Sequence, residues 1–126
     1  MKPQELKIGN LLCYNGEVVK VEQITKHKIG YHTKPNETRM NYARLCEIEP
    51  IPITEELLLK CGLLKSYYSE KIFTVEGESC EGIYYVEGKV FDIRGGSGRA
   101  SITCKYLHQL QNAYYLAIGK ELEIKI

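Results

Sequence analysis

Two closely spaced prolines, Pro50 and Pro52, constrain the fold of this chain more than any other feature of its sequence. Each proline lacks a backbone N–H, so residues 49–53 can form neither a helix interior nor a central strand. They predict an extended connector near the middle of the chain. Because 126 residues is a usual length for one domain, we expect a single domain, 1–126. Within it, residues 1–50 are expected to form a small β-barrel-like unit, and residues 51–126 a helix, a β-meander and a C-terminal helix.

The part before the prolines alternates strand and turn signals. Residues 10–14 and 17–24 have the composition of strands, and Asn15-Gly16 between them is a strong signal for a two-residue hairpin turn. In the second strand Val19 and Val21 are predicted to face the core, because side chains two apart share one side of a strand. Shorter strands are expected at 29–32, 39–42 and 45–48, with a turn at 34–37. They predict a small antiparallel sheet or barrel.

The part after the prolines begins with a short helix. Thr54 is a good N-cap residue, and the helix is expected to run from Glu55 to about Cys61 and to stop at Gly62. Strand candidates follow at 66–75, 83–86 and 89–94, separated by glycine-containing turns. Short connections favour antiparallel neighbours, so these segments predict a meander of three or four strands.

A second helix is predicted near the C-terminus by its apolar face. Ser101 or Thr103 is expected to cap this helix, and Gly119 to end it. The tail 121–126 alternates apolar and polar residues and predicts an edge strand. The fold class that follows is α+β. The residues of the helix's apolar face, which should pack on the meander, are Tyr106, Leu107, Leu110, Ala113, Tyr114, Ala117 and Ile118.

Three stretches carry a resemblance to a known family: residues 2–10 (KPQELKIGN), 49–62 (EPIPITEELLLKCG) and 105–115 (KYLHQLQNAYY). In this order they resemble a family of short proteins of unknown function from gut-type anaerobic bacteria, often encoded near prophage or mobile-element genes. The resemblance implies a bacterial, phage-like origin. It carries no assigned activity, so it transfers no functional residue.

The front half also resembles the opening of SH3-like small barrels. The residues concerned are 8–12, the Asn15-Gly16 turn and 18–21. This resemblance implies an N-terminal SH3-like barrel that leads through the short central helix into the meander. Such barrels bind nucleic acids or peptides and also have structural roles, so the fold leaves the function open.

Composition and cysteine usage predict a soluble cytoplasmic protein with no membrane segment. No apolar run is long enough to cross a bilayer, and the N-terminus lacks the apolar stretch of a signal peptide. The five cysteines are odd in number and widely spaced, so we expect reduced thiols rather than disulfides or a zinc site. A metal site built on His27 and His32 with distant cysteines is the alternative. We expect no metal and no cofactor.

No catalytic motif is evident, and we expect the protein not to be an enzyme. The sequence contains no nucleophile elbow, metalloprotease motif or phosphate loop. Cys104 and His108 are four residues apart and could pair as nucleophile and base. Such a spacing arises easily by chance, and we assign no catalytic residue.

Three candidate binding surfaces remain. Residues 20–46 contain six basic and two acidic residues, and the basic ones could bind nucleic acid although the net charge is only +1. A glycine-rich loop between two arginines could bind an anion through its backbone amides. The last helix has one formal charge between Thr103 and Ile118, so its polar face could be covered by another protein or by the chain's own tail. The three sets are Lys20, Lys26, Lys28, Lys34, Arg39 and Arg44; Arg94, Gly95, Gly96, Ser97, Gly98 and Arg99; and His108, Gln109, Asn112, Tyr115 and Leu116.

These surfaces predict a non-enzymatic interaction module that acts through protein contacts, with another protein or with a second copy in a homodimer. Paired tyrosines in the strands favour this function, because exposed tyrosines are common in protein interfaces. The alternative is a nucleic-acid-binding accessory protein that uses the basic 20–44 segment.

Overall fold

The computed structural model describes residues 2–33, 38–65, 72–75, 82–94, 99–122 and 124. The chain divides into two compact units: unit 1, Met1–Ile51, and unit 2, Pro52–Ile126. The boundary falls between the two prolines. Each unit contains its own cluster of buried apolar side chains. That the two units act as a single domain stays a prediction.

Unit 1 is built on short antiparallel strands. Strands β1 (Leu11–Tyr14) and β2 (Glu17–Lys20) form the predicted hairpin, and its turn residues Asn15 and Gly16 have φ values of 50° and 78°. This left-handed conformation is the reason that Asn-Gly favours such turns. Strands β3 (Gln23–Ile24), β4 (Lys28–Tyr31) and β5 (Asn41–Arg44) form a second sheet in the order β3-β4-β5. The finer prediction of an SH3-like barrel stays a prediction.

The core of unit 1 follows the predicted alternation. Val19 and Val21 are buried as expected, whereas Val18 is exposed. The predicted strand at 45–48 is wrong, because Leu45–Glu47 is a 3₁₀ helix. Leu45 and Ile48 are both buried, and residues three apart point to opposite sides of a strand. A tight turn brings both into the core, whose members are Leu6, Leu12, Val19, Val21, Ile29, Tyr31, Ala43, Leu45 and Ile48.

Unit 2 begins with helix α1 (Glu55–Lys60) as predicted. The Thr54 hydroxyl accepts a hydrogen bond from the Leu57 backbone N–H at 3.1 Å, and Gly62 follows with a φ of 80°. The described strands then form an antiparallel sheet in the order β10-β9-β8-β7-β6. The α+β class is therefore confirmed. The strands are β6 (Leu63–Lys65), β7 (Ile72–Val75), β8 (Gly82–Val86), β9 (Lys89–Arg94) and β10 (Arg99–Ala100).

Helix α2 (Leu107–Ile118) packs against β9 and β10. The predicted apolar face from Leu107 to Ile118 is buried, and Gly119 ends the helix with a φ of 82°. The helix starts later than predicted, however, and neither Ser101 nor Thr103 caps it. Cys104 instead exchanges backbone hydrogen bonds of 2.8 and 2.7 Å with Val90. Pairing with β9 therefore keeps this segment extended until the N-cap residue, Tyr106.

Some predictions concern segments that lie wholly or partly outside the described residues. They concern the turn at 34–37, most of the strand at 66–75, the glycine-containing turn that follows it and the loop 95–98. The tail is described at Glu121, Leu122 and Ile124, none of which is in a strand. Leu122 is buried in the core of unit 2 instead.

Candidate functional site

The outward face of the β3–β5 sheet combines cations with an aromatic ring. Lys28 and Arg44 are directly paired across β4 and β5, and the next pair on the same face is Gly30 with Tyr42. Alternation requires this arrangement, because Ile29 and Ala43 fill the intervening positions and are buried in the core. Lys28, Tyr42 and Arg44 therefore share one solvent-exposed face.

A pocket of about 540 Å³ lies next to this face in unit 1. Its lining contains three lysines and one arginine, and none of the described residues that line it is acidic. The positive potential of such a concave surface is stronger than that of single exposed lysines. The lining residues are Lys2, Pro3, Lys26, His27, Lys28, Arg44, Leu45 and Cys46.

Backbone hydrogen bonds bring these cations together. The turn between β3 and β4 is closed by a bond of 2.9 Å from the Thr25 N–H to the Lys28 carbonyl, which places Lys26 at the tip of the turn. The Leu45 N–H donates to the His27 carbonyl at 2.9 Å and holds the turn against the start of the 3₁₀ helix. Residues from the β3–β4 turn and from the end of β5 therefore line one pocket.

Tyr42 is fixed on this face by two contacts. Its hydroxyl donates to Gln23 Oε1 at 3.2 Å, and Lys28 Nζ lies 4.3 Å from its ring centroid. Gln23 is in β3, two strands away, and Gly30 lies between the two residues in the pairing. The absence of a side chain at Gly30 leaves room for the side chains of Met40 and Gln23. Tyr42 is still 48% exposed, so part of its ring surface is open to solvent.

The structure brings together only part of the predicted basic surface. Lys26, Lys28 and Arg44 line the pocket, whereas Lys20 and Arg39 are exposed outside it. Lys34 lies outside the described residues. Lys2 was missed by the sequence prediction, because nothing local connects it to residues far along the chain.

Tyr42 was also missed by the sequence prediction. Its signal was available in principle, since it lies two residues before Arg44 in a strand and so must share its face.

The predicted partner surface on α2 is only partly exposed. Tyr115 and Leu116 are exposed at 45% and 82%, whereas Asn112 is intermediate. His108 is only 2% exposed, which corrects its assignment to this surface. It lies on the first turn of α2, and its ring is nearly parallel to that of Tyr106, with 6.2 Å between the two ring centroids. Gln109 has a structural contact, because its Oε1 accepts a hydrogen bond from the Lys105 N–H at 3.0 Å.

Of the predicted anion loop, the structure describes the two flanking arginines, Arg94 at the end of β9 and Arg99 in β10. Gly95, Gly96, Ser97 and Gly98 lie outside the described residues, so nothing is added to the prediction for them. Arg94 and Arg99 are directly paired across the two strands. The Arg94 side chain is exposed.

The buried thiols of unit 2 are poorly suited to nucleophilic chemistry. Burial raises the pKa of Cys61 to about 12 and that of Cys104 to about 11. Both are protonated at neutral pH, and the thiolate is the reactive form. The pairing of Cys104 with His108 as nucleophile and base is therefore disfavoured. Cys13 and Cys46, like these two, are free thiols.

Neither a metal cluster nor a membrane helix is found in the part of the chain that the structure describes. Within it, no three His, Cys, Asp or Glu side chains are grouped so that they could hold a metal ion. Of its helices, none is both long and apolar enough to cross a bilayer. His32 contacts the Glu22 carboxylate, whereas His27 lines the basic pocket.

Comparisons with known proteins give no match: no family model, no curated protein and no solved structure corresponds to this chain.

Proposed function

We propose that this protein is a non-enzymatic module that binds nucleic acid through the basic pocket of unit 1. The observation that carries the proposal is the grouping of Lys2, Lys26, Lys28 and Arg44 around one pocket with no acidic residue among its described lining. Nucleic acid is the polyanion that such a cluster fits, because each cation can neutralise a backbone phosphate and release counterions. We therefore favour nucleic-acid binding, which is the alternative function expected from the sequence, over protein contacts.

The local charge matters more here than the net charge of +1. A nearly neutral chain does not attract nucleic acid from all directions, so binding depends on where its cations lie. The Arg44 guanidinium can contact phosphate oxygens with two parallel hydrogen bonds, and the lysines act as point charges beside it. The proposed role of all four side chains is phosphate binding without base selectivity.

Fluorescence anisotropy with labelled DNA and RNA oligonucleotides tests this function. Four phosphate contacts predict that log K falls with log salt with a slope of about −3 between roughly 50 and 200 mM salt. Arg44→Gln removes one phosphate contact and is expected to reduce the magnitude of this slope by about 1. Absence of binding at the lowest salt concentration would rule out the proposed function.

Arg94→Gln is the matched control for Arg44→Gln. Arg94 is also an exposed strand arginine, but it lies in β9 of unit 2. The two variants change the net charge equally, so a general electrostatic effect would alter both titrations. We expect the Arg94→Gln variant to bind like the wild type. A larger loss for Arg94→Gln would assign the anion contacts to the segment 94–99 instead.

Protein contacts through α2 are the second candidate function. Leu116 is 82% exposed and Tyr115 is 45% exposed on a helix with few charges. Homodimerisation through this surface predicts a dimer mass in light scattering, and Leu116→Glu should reduce that mass. A monomer throughout the micromolar range contradicts this version.

The proposed setting is a bacterial or phage-encoded accessory protein in the cytoplasm. The free thiols Cys13, Cys46, Cys61 and Cys104 are consistent with a reducing compartment. The resemblance to prophage-associated proteins supports the accessory role. Identification of the neighbouring genes in the native genome is the test.

A further inference from the structure

We propose that the polyanion bound by unit 1 is single-stranded nucleic acid, with a base stacked on Tyr42 beside the phosphate-binding pocket. This inference rests on the proposed function and adds the strand state of the ligand. Its basis is that an exposed aromatic ring and two pocket cations share one face of the β3–β5 sheet. A pocket of cations alone would bind single strands and duplexes by the same phosphate contacts.

The position of Tyr42 links the two parts of the proposed site. Tyr42 and Arg44 are two residues apart in β5, which separates their backbones by about 7 Å on one face. Lys28 lies in both parts, because it lines the pocket and its Nζ lies 4.3 Å from the Tyr42 ring centroid. A base stacked on the ring face that Lys28 Nζ does not cover therefore has cations next to it that can contact the adjoining phosphates.

The ring is held in place before any ligand binds. The hydrogen bond from its hydroxyl to Gln23 and the contact with Lys28 restrict its rotation from two sides. Gly30 leaves room for Gln23, the acceptor of this hydrogen bond, since a Cβ there would lie 3.0 Å from Gln23 Cβ and 2.9 Å from Met40 Sδ. A restrained aromatic side chain loses little conformational entropy on binding, which favours stacking.

Stacking selects for single strands. Bases in a duplex are paired and stacked on one another, whereas a single strand can present the face of a base to an aromatic side chain. Such stacking tolerates any base, because every base has a π face. The site is therefore expected to distinguish single strands from duplexes but not one base sequence from another.

The test compares oligonucleotides of about ten nucleotides: a single strand, the corresponding duplex and an abasic strand that keeps the phosphates but lacks bases. The wild-type chain is expected to bind the single strand most tightly. Tyr42→Leu should weaken this binding by about tenfold and leave duplex and abasic binding unchanged. Tyr42→Phe retains the ring and should bind within about twofold of the wild type.

Tyr84→Leu is the matched control. Tyr84 is also an exposed tyrosine, at 40%, on the outward side of a sheet strand, but it belongs to unit 2. Its substitution should leave all three affinities unchanged. Because Tyr42 is half exposed, the Tyr42→Leu variant should unfold at nearly the wild-type urea concentration, which separates loss of binding from loss of folding.

Three results would overturn the inference. Unchanged single-strand affinity in Tyr42→Leu, together with weaker binding in Arg44→Gln, refutes stacking but leaves the proposed nucleic-acid function intact. If Tyr42→Leu weakens binding of the single strand, the duplex and the abasic strand equally, stacking is likewise refuted and the proposed nucleic-acid function still stands. If the wild-type chain binds none of the three, the proposed function fails and this inference fails with it.

Discussion

The β3–β5 sheet of unit 1 and the β6–β10 sheet of unit 2 are both antiparallel, and each has one buried and one exposed face. The exposed face in unit 1 carries Lys28, Arg44 and the restrained Tyr42 ring. The exposed face in unit 2 carries the rings of Tyr84 and Phe91, whose centroids are 6.4 Å apart. It also carries the acidic Asp92, which is paired with Tyr84, and the exposed Arg94. The same backbone architecture therefore presents two different chemistries.

This difference is the basis for our proposal that the unit 1 face binds a polyanion. Aromatic residues are present on both sheets, so the aromatic ring alone does not distinguish them. What distinguishes the unit 1 face is the combination of the ring with a cationic pocket whose described lining holds no acid. The proposals above depend on that combination. The following experiments test how the two sheets differ, in order of decreasing size of effect.

The largest effect is expected from the two faces of the unit 2 sheet. Phe73 is fully buried in the core, and Phe91 is 41% exposed on the same sheet. Phe73→Ala should lower the free energy of unfolding by about 3–5 kcal/mol, because it leaves a cavity. Phe91→Ala should cost about 1 kcal/mol. Urea unfolding measures both values, and equal costs would show that the Phe91 face is covered in solution.

A smaller effect is expected when two cations of one sheet or of the other are replaced by glutamates. Lys28→Glu with Arg44→Glu should weaken single-strand binding by about 100-fold at roughly 50 mM salt, since two phosphate contacts become repulsive. Lys89→Glu with Arg94→Glu in β9 changes the net charge by the same amount and should have little effect. Anisotropy titrations of both variants measure the contrast. Similar losses would remove the distinction between the two faces.

The glycines of the two sheets predict a still smaller contrast. A Cβ at Gly30 would meet Met40 at 2.9 Å, whereas one at Gly82 would have its nearest neighbour, the Phe73 carbonyl oxygen, at 3.3 Å. Gly30→Ala should lower the free energy of unfolding by about 1 kcal/mol through overpacking. In Gly82→Ala, the smaller strain is offset by the reduced entropy of the unfolded chain, so the change should be close to zero. Urea unfolding would contradict this if Gly82→Ala were the more damaging change.

Local signals in the sequence were sufficient where the structure depends on neighbouring residues. The Asn15-Gly16 turn, the Thr54 cap and the Gly119 helix end were predicted because each follows from the conformational preference of one or two residues. The apolar face of α2 was also predicted, because its period of 3.6 residues is visible without any partner element.

Predictions failed where distant residues decide the outcome. The late start of α2 depends on the hydrogen bonds between Cys104 and Val90, and the 3₁₀ helix at Leu45–Glu47 depends on a shared core. Similarly, the basic segment was visible in the sequence, but the contribution of Lys2 to its pocket was not. Pairing between strands brings together residues for which no local pattern exists.

The thiols of unit 2 are expected to have the smallest effect on stability near neutral pH and a larger one at alkaline pH. Burial raises the pKa of Cys61 to about 12 and that of Cys104 to about 11 from an ordinary value of 9.0. The contribution of the two buried thiols to the free energy of unfolding is therefore complete below about pH 9. It is lost as the pH rises through the folded pKa values. Cys104→Ala should make this alkaline decline shallower. Cys46→Ala, at an exposed position, should not change it when urea unfolding is measured across this range.

An NMR titration of the isotope-labelled full chain with a single-stranded oligonucleotide tests the central claim most directly, because it maps where the ligand binds. The account predicts that the largest amide shifts fall in unit 1, at Lys26, Lys28, Tyr42 and Arg44. Shifts that are largest in β8, β9 or α2, or spectra that do not change at low salt, would contradict it.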